Sequence, residues 1–122
     1  MKPRDGLIRL KRFQVEEKRR RVAQIEAMIA EFERMAKELN DQILAEQERS
    51  GIHDAGHFAY PTFAKAASQR RDNLQASANE LKGQLAAAKV DCDEAVADLE
   101  KAEAIAERDL AHHKQGAEAR AS

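Results

Sequence analysis

Seven basic residues, Arg9, Lys11, Arg12, Lys18, Arg19, Arg20 and Arg21, crowd near the amino terminus. Guanidinium and ammonium groups at that density suit phosphates or an acidic protein surface. Against them stands the stretch from Asp91 to Asp109, with eight acids and only Lys101 and Arg108 as bases. The whole chain has a formal net charge of -1 and so lacks the global field of a polyanion binder. The basic stretch has three readings: a solvated helix face neutralised by the acidic segment, a docking surface for an acidic protein, or a nucleic-acid footprint. The charge balance favours the first two.

Other residues with chemical potential are more isolated. His53 and His57 are four apart, but Gly56 intervenes and no Cys or acidic trio completes a metal shell. His112 and His113 are adjacent, so on a helix they point about 100° apart and do not share a metal. Cys92 has no second cysteine to pair with, which excludes an internal disulfide and fits a reducing compartment. No Gly-rich phosphate loop and no nucleophile with a base stand in the chain. The expectation is a non-enzyme with no cofactor, no metal and no small-molecule substrate.

The elements that carry these residues follow from a seven-residue apolar repeat. From Ile8 it runs through Val15, Val22, Ile29, Ala36 and Ile43, with Ile25, Phe32 and Leu39 at the companion position. A second series holds Ala67, Leu74, Leu81, Ala88, Ala95 and Ala102, interleaved with Ala64, Ala78, Leu85, Cys92, Leu99 and Ala106. Such a repeat marks a left-handed coiled coil. Folding back at Ala55 opposes Ile29 to Leu81, Val22 to Ala88, Ile25 to Leu85 and Phe32 to Ala78, and it lays the basic stretch beside the acidic one. The fold class is therefore all-α, two long helices forming an antiparallel coiled-coil hairpin. With 35% charged and 4% aromatic residues, 122 residues make one such unit and not an ordinary globular core.

Local signals set the boundaries. Asp5 is the expected N-cap of a helix over 5–49, Ser50 and Gly51 its stop, and 50–60 a connector. Pro61 suits the first turn of a second helix over 61–115, in which Gly83 is a weak point and Gly116 the end. The tail 116–122 is expected to fray. Near the termini the layers are mainly alanine, and Lys11 and Lys18 occupy core positions facing Leu99 and Cys92. Arg71 occupies another, opposite Leu39. Three of the five aromatic residues, Phe58, Tyr60 and Phe63, gather in or beside the connector. They either close the hairpin over Ile43, Leu44 and Ile52 or anchor a partner. The expectation is that Phe63 is structural while Phe58 and Tyr60 are exposed. Met28 and Met35 are expected on the outside. No apolar run has signal-peptide or membrane-spanning length, so any membrane contact is expected to be peripheral.

Two segments carry a family resemblance. RDGLIRLKRFQVEEKRRRVAQIEAMIAEFERM, Arg4 to Met35, and FAYPTFAKAASQRRDNLQASANELKGQL, Phe58 to Leu85, resemble the FliJ family of flagellar type III export proteins, especially its alphaproteobacterial members. The FAYPTFAKAASQRRDNL part is the more specific, because heptads alone recur in unrelated proteins. The resemblance implies a non-catalytic central stalk of the hexameric export ATPase, entering its ring with the paired termini. It also implies contact with the membrane-embedded export gate, escort of export chaperones, and a cytoplasmic location at the flagellar base. Carried onto this sequence, it makes Arg9, Arg12, Arg19 and Arg20 the ring-facing candidates, and Phe58, Tyr60 and Phe63 the gate-facing ones. A basic coiled coil that binds nucleic acid, or a generic scaffold, is the alternative.

Overall fold

Two long helices packed against each other form a helical hairpin with no strand among the described residues, 3–121 of the computed structural model. Helix α1 spans Pro3–Ser50 and α2 spans Thr62–Ala121. The apolar repeat explains both. Every residue of the two heptad series is buried or half-buried, and the exposed positions between them are mostly charged or small. Helix stability in water comes chiefly from packing such a face.

The ends of the helices differ from the sequence boundaries for identifiable reasons. Helix α1 begins at Pro3, whose missing N–H is no loss in a first turn, so Asp5 lies inside that turn instead of capping it. Its carboxylate still favours the positive end of the helix dipole. The stop falls where glycine allows it: Gly51 has φ 75° and donates its N–H to the Gln47 carbonyl at 2.8 Å. Ser50 helps to close the same end, its hydroxyl donating to the Gln47 carbonyl at 3.2 Å and accepting from the Ile52 N–H at 3.2 Å.

Pro61 sits one residue before α2, where its carbonyl accepts from the Lys65 N–H at 3.1 Å as the first turn closes. The larger correction is at the other end. Of the expected frayed tail, residues 116–121 continue α2 and Ser122 lies outside the described residues. Gly116 keeps a helical backbone with no positive φ. A single helical glycine costs only about 1 kcal/mol relative to alanine, and Gln115, Ala117, Glu118, Ala119, Arg120 and Ala121 around it are good helix formers.

The chain divides into two compact units, one up to Ala23 and from Ala87 onward, the other Gln24–Ala86. In the connector unit, Ile25, Ile29, Ala36, Ile43, Ala64, Ala67, Ala78 and Leu81 are buried. Ile43, Ala64 and Ala67 make one cluster, with Leu39 and Tyr60 packed against it. Ile43 against Ala67 is the pairing expected from a fold-back at Ala55. Arg71, at its core position, donates to Asn40 Oδ1 at 2.8 Å and to its neighbour Asp72 at 3.1 Å. Its stem lies along the seam while its guanidinium is held by polar groups. Lys82 reaches Glu33 at 3.0 Å.

In the terminal unit only Val15 and Ala88 are buried among the described residues. Lys11 is half-buried as its core position predicts, but Lys18 is exposed, its ammonium drawn out to the Asp91 carboxylate at 4.0 Å. Hydration of the charge outweighs the small apolar contact that a lysine stem makes with an alanine-rich helix. From Glu107 to Ala121 every residue of α2 is exposed.

Candidate functional site

Three ion pairs join the helices of the terminal unit: Arg4 to Asp109 at 3.6 Å, Arg12 to Glu103 at 3.3 Å and Lys18 to Asp91 at 4.0 Å. They link the basic stretch to the acidic one, as the fold-back requires. Two more arginines turn to carboxylates three residues back on their own helix, Arg19 to Glu16 at 3.1 Å and Arg20 to Glu17. Apart from the half-buried Arg4 these groups are well hydrated, so each exposed pair contributes on the order of 0.2–1 kcal/mol.

The four ring-facing candidates therefore divide. Arg12, Arg19 and Arg20 hold carboxylates, whereas Arg9 has none within ion-pair distance among the described residues. Arg21 shares that state and was not among the four. Beside Arg9 and Arg21, α1 exposes Leu7, Leu10 and Phe13. Sequence reasoning passed over these three because it followed the heptad, and they lie off it. The signal was present all the same, as large apolar residues left over once the core positions were assigned.

The connector is the second candidate. Asp54 Oδ1 accepts from the Gly56 N–H at 2.9 Å, and the Asp54 carbonyl accepts from the His57 N–H at 3.0 Å. The next turn repeats the device: the His57 carbonyl accepts from the Tyr60 N–H at 3.0 Å and His57 Nδ1 accepts from the Ala59 N–H at 3.0 Å. Short polar side chains that satisfy nearby backbone donors fix such turns.

These turns sort the aromatics in a way that corrects the expectation. Tyr60 is the packed one, set against the Ile43, Ala64 and Ala67 cluster, and its hydroxyl accepts from Gln47 Nε2 at 3.0 Å. Phe63 is 54% exposed, not structural. Phe58 is 96% exposed and stacks on His57 with ring centroids 4.7 Å apart. The reason is helix phase. Ala64 and Ala67 are buried, which leaves Phe63 beside the seam, while the turn at 57–60 carries Tyr60 back to it. Leu44 is exposed as well, so it does not help to close the hairpin.

Elsewhere the Glu46 carboxylate pushes Arg49 above the ordinary arginine value, and a larger cluster surrounds Arg34. Its guanidinium bonds Glu31 at 2.5 Å and Glu38 at 2.5 Å. The bond from Arg34 holds the Glu31 carboxyl below the ordinary glutamate range, and the two carboxylates push Arg34 further up. Among the described residues no cluster of three His, Cys, Asp or Glu is placed to hold a metal ion. No described helix is long and apolar enough to cross a membrane.

The fold and these surfaces define the chain as a helical hairpin with a charge-laced terminal unit and a turn-stabilised aromatic connector. Compared with known proteins, it matches no family model, no curated protein and no solved structure.

Proposed function

We propose that the chain is a non-catalytic stalk of a flagellar type III export ATPase. The observation that carries this reading is the resemblance of Arg4 to Met35 and Phe58 to Leu85 to the FliJ family. The two-helix fold supports it, because the stalk that the resemblance implies is likewise an antiparallel pair of long helices. In this reading the terminal unit enters the ATPase hexamer, with Arg9 as the arginine most available to the ring. Arg12, Arg19 and Arg20 exchange their present carboxylates for the ring's. The connector, through Phe58 and Phe63, meets the membrane export gate, and the same protein escorts export chaperones. The location is cytoplasmic, peripheral to the membrane at the flagellar base.

A stalk promotes ring assembly only if it binds the assembled form more tightly than free subunits. Purified chain titrated into the export ATPase is expected to raise hydrolysis and shift the enzyme to hexamers. Unchanged hydrolysis and unchanged oligomer size across the titration would refute the proposal. The nucleic-acid alternative is weakened because Arg12, Lys18, Arg19 and Arg20 are already engaged by carboxylates. It requires DNA or RNA binding that survives physiological salt, since phosphate contacts release counterions and weaken steeply as salt rises.

A further inference from the structure

The face of α1 turned away from the hairpin seam has no function in the fold and a composition of its own. The seam side of this segment is Arg4, Ile8, Lys11, Val15 and Val22, all buried or half-buried. Leu7, Leu10 and Phe13 follow one another at three-residue steps, so they form an oblique ridge that runs from the edge of the seam at Leu7 to the far side of α1 at Phe13. Leu10 is 50% and Phe13 59% exposed. Arg9 stands four residues before Phe13 and flanks it, and Arg21 continues the heptad column of Leu7. Neither arginine has a carboxylate within ion-pair distance among the described residues. Glu16 and Glu17, the acids on this face, are already held by Arg19 and Arg20. The patch is thus apolar along its centre with two uncompensated positive charges.

We infer that this face docks an acidic amphipathic helix of a partner protein, with apolar side chains against Leu7, Leu10 and Phe13 and carboxylates on Arg9 and Arg21. The convex surface of a helix is matched by the ridges of another helix, whose anchors recur at three- and four-residue steps. From Leu7 to Arg21 the surface runs about 21 Å at 1.5 Å per residue, so the occupant needs about four turns. Charge complementarity selects an acidic helix. The described residues of this unit hold thirteen Lys or Arg against twelve Asp or Glu, so the unit has almost no net field to draw it to an anionic bilayer or a nucleic acid. The attraction is local, between two free guanidinium groups and carboxylates that arrive next to them.

The inference shares Arg9 with the export reading but stands without it, because its test needs no motor component. Two labelled synthetic peptides of equal length, with Leu at every third or fourth residue and the polar positions all Glu or all Lys, are titrated with the full chain. The Leu–Glu peptide is expected to bind at least about tenfold more tightly than the Leu–Lys peptide. Leu10→Ala with Phe13→Ala lowers that affinity by about tenfold or more. Arg9→Glu with Arg21→Glu inverts the preference between the peptides, and Val90→Ala on α2 leaves it unchanged. Circular dichroism of each variant, expected to match the parent, separates lost docking from lost folding. Equal affinity for the two peptides, parental binding by the Leu10 and Phe13 variant, or tighter binding of the chain to phosphatidylserine vesicles or duplex DNA than to the Leu–Glu peptide would overturn it.

Discussion

The connector unit and the terminal unit are built from the same two helices and the same repeat, yet they are held by different forces. Eight buried apolar residues fill the first, against Val15 and Ala88 in the second. The order reverses for charge: among the described residues three ion pairs join α1 to α2 in the terminal unit and one, Lys82 to Glu33, in the connector unit. Exposed large apolar residues also favour the terminal unit, with Leu7, Leu10, Phe13, Val90, Ile105 and Leu110 there against Met28, Leu44, Phe58 and Phe63. A heptad thus specifies that helices face each other but not how strongly they hold. Burial of one large aliphatic side chain stabilises by roughly 1.5–3 kcal/mol, several times an exposed ion pair. The unit with unspent apolar surface is the one whose stability a partner can raise.

The contrast is easiest to break in the connector unit. Ile25 is 1% exposed, and Ile25→Ala is expected to cost about 2–5 kcal/mol in urea denaturation. Leu10→Ala, at an exposed site of the terminal unit, is expected to stay within about 0.5 kcal/mol of the parent. Comparable losses in the two variants would remove the distinction.

The aromatic connector gives the next largest effect. Tyr60→Phe keeps the ring but deletes the bond from Gln47, and is expected to cost about 0.5–1.5 kcal/mol. Phe58→Ala removes an almost fully exposed ring and is expected to change the melting curve little, within about 0.5 kcal/mol. A lower melting temperature for the Phe58 variant than for the Tyr60 variant would reverse the assignment of the two residues.

Salt sharpens the comparison further. Raising ionic strength to about 1 M shortens the screening length to about 3 Å, which weakens pairs such as Arg12 to Glu103. Hydrogen exchange is expected to quicken for backbone amides in the terminal unit and to hold steady around Ile29, Ile43 and Leu81. Uniform quickening would mean that charge holds both units alike.

The smallest effect is at Glu31. Its carboxyl titrates below the ordinary range because Arg34 donates to the charged form. The unfolded chain binds this proton more readily, so the pair's small contribution is present above the unfolded value and fades as pH falls through the folded one. Carbon-detected NMR should place the Glu31 midpoint below that of an unstructured glutamate, about 4.3, and Arg34→Ala should return it. A midpoint unmoved by the substitution would discard that cause.

How much could be read without coordinates varied with the kind of question. The two heptad series named the buried faces correctly because a seven-residue apolar period leaves one solution for which side of each helix leaves water. Gly51 marked its turn because only glycine enters that φ cheaply. The family resemblance and its partners stand outside what the fold alone can decide, since one helical hairpin suits many tasks.

What the sequence by itself determined was therefore the hairpin, its helix faces and the opposition of basic and acidic segments, all set by periodicity and long-range charge. Tertiary structure decided which individual side chains those faces admit. Tyr60 and not Phe63 reaches the core, because a hydrogen-bonded turn carries residue 60 back while helix phase points residue 63 aside. Lys18 leaves its core position for water, because its alanine-rich neighbour offers too little burial to hold a charge. Gly116 stays helical, because nothing in its surroundings competes with good helix formers on both sides. In each case the outcome rests on local geometry and hydration, which a pattern of residue types does not resolve and a packed backbone does.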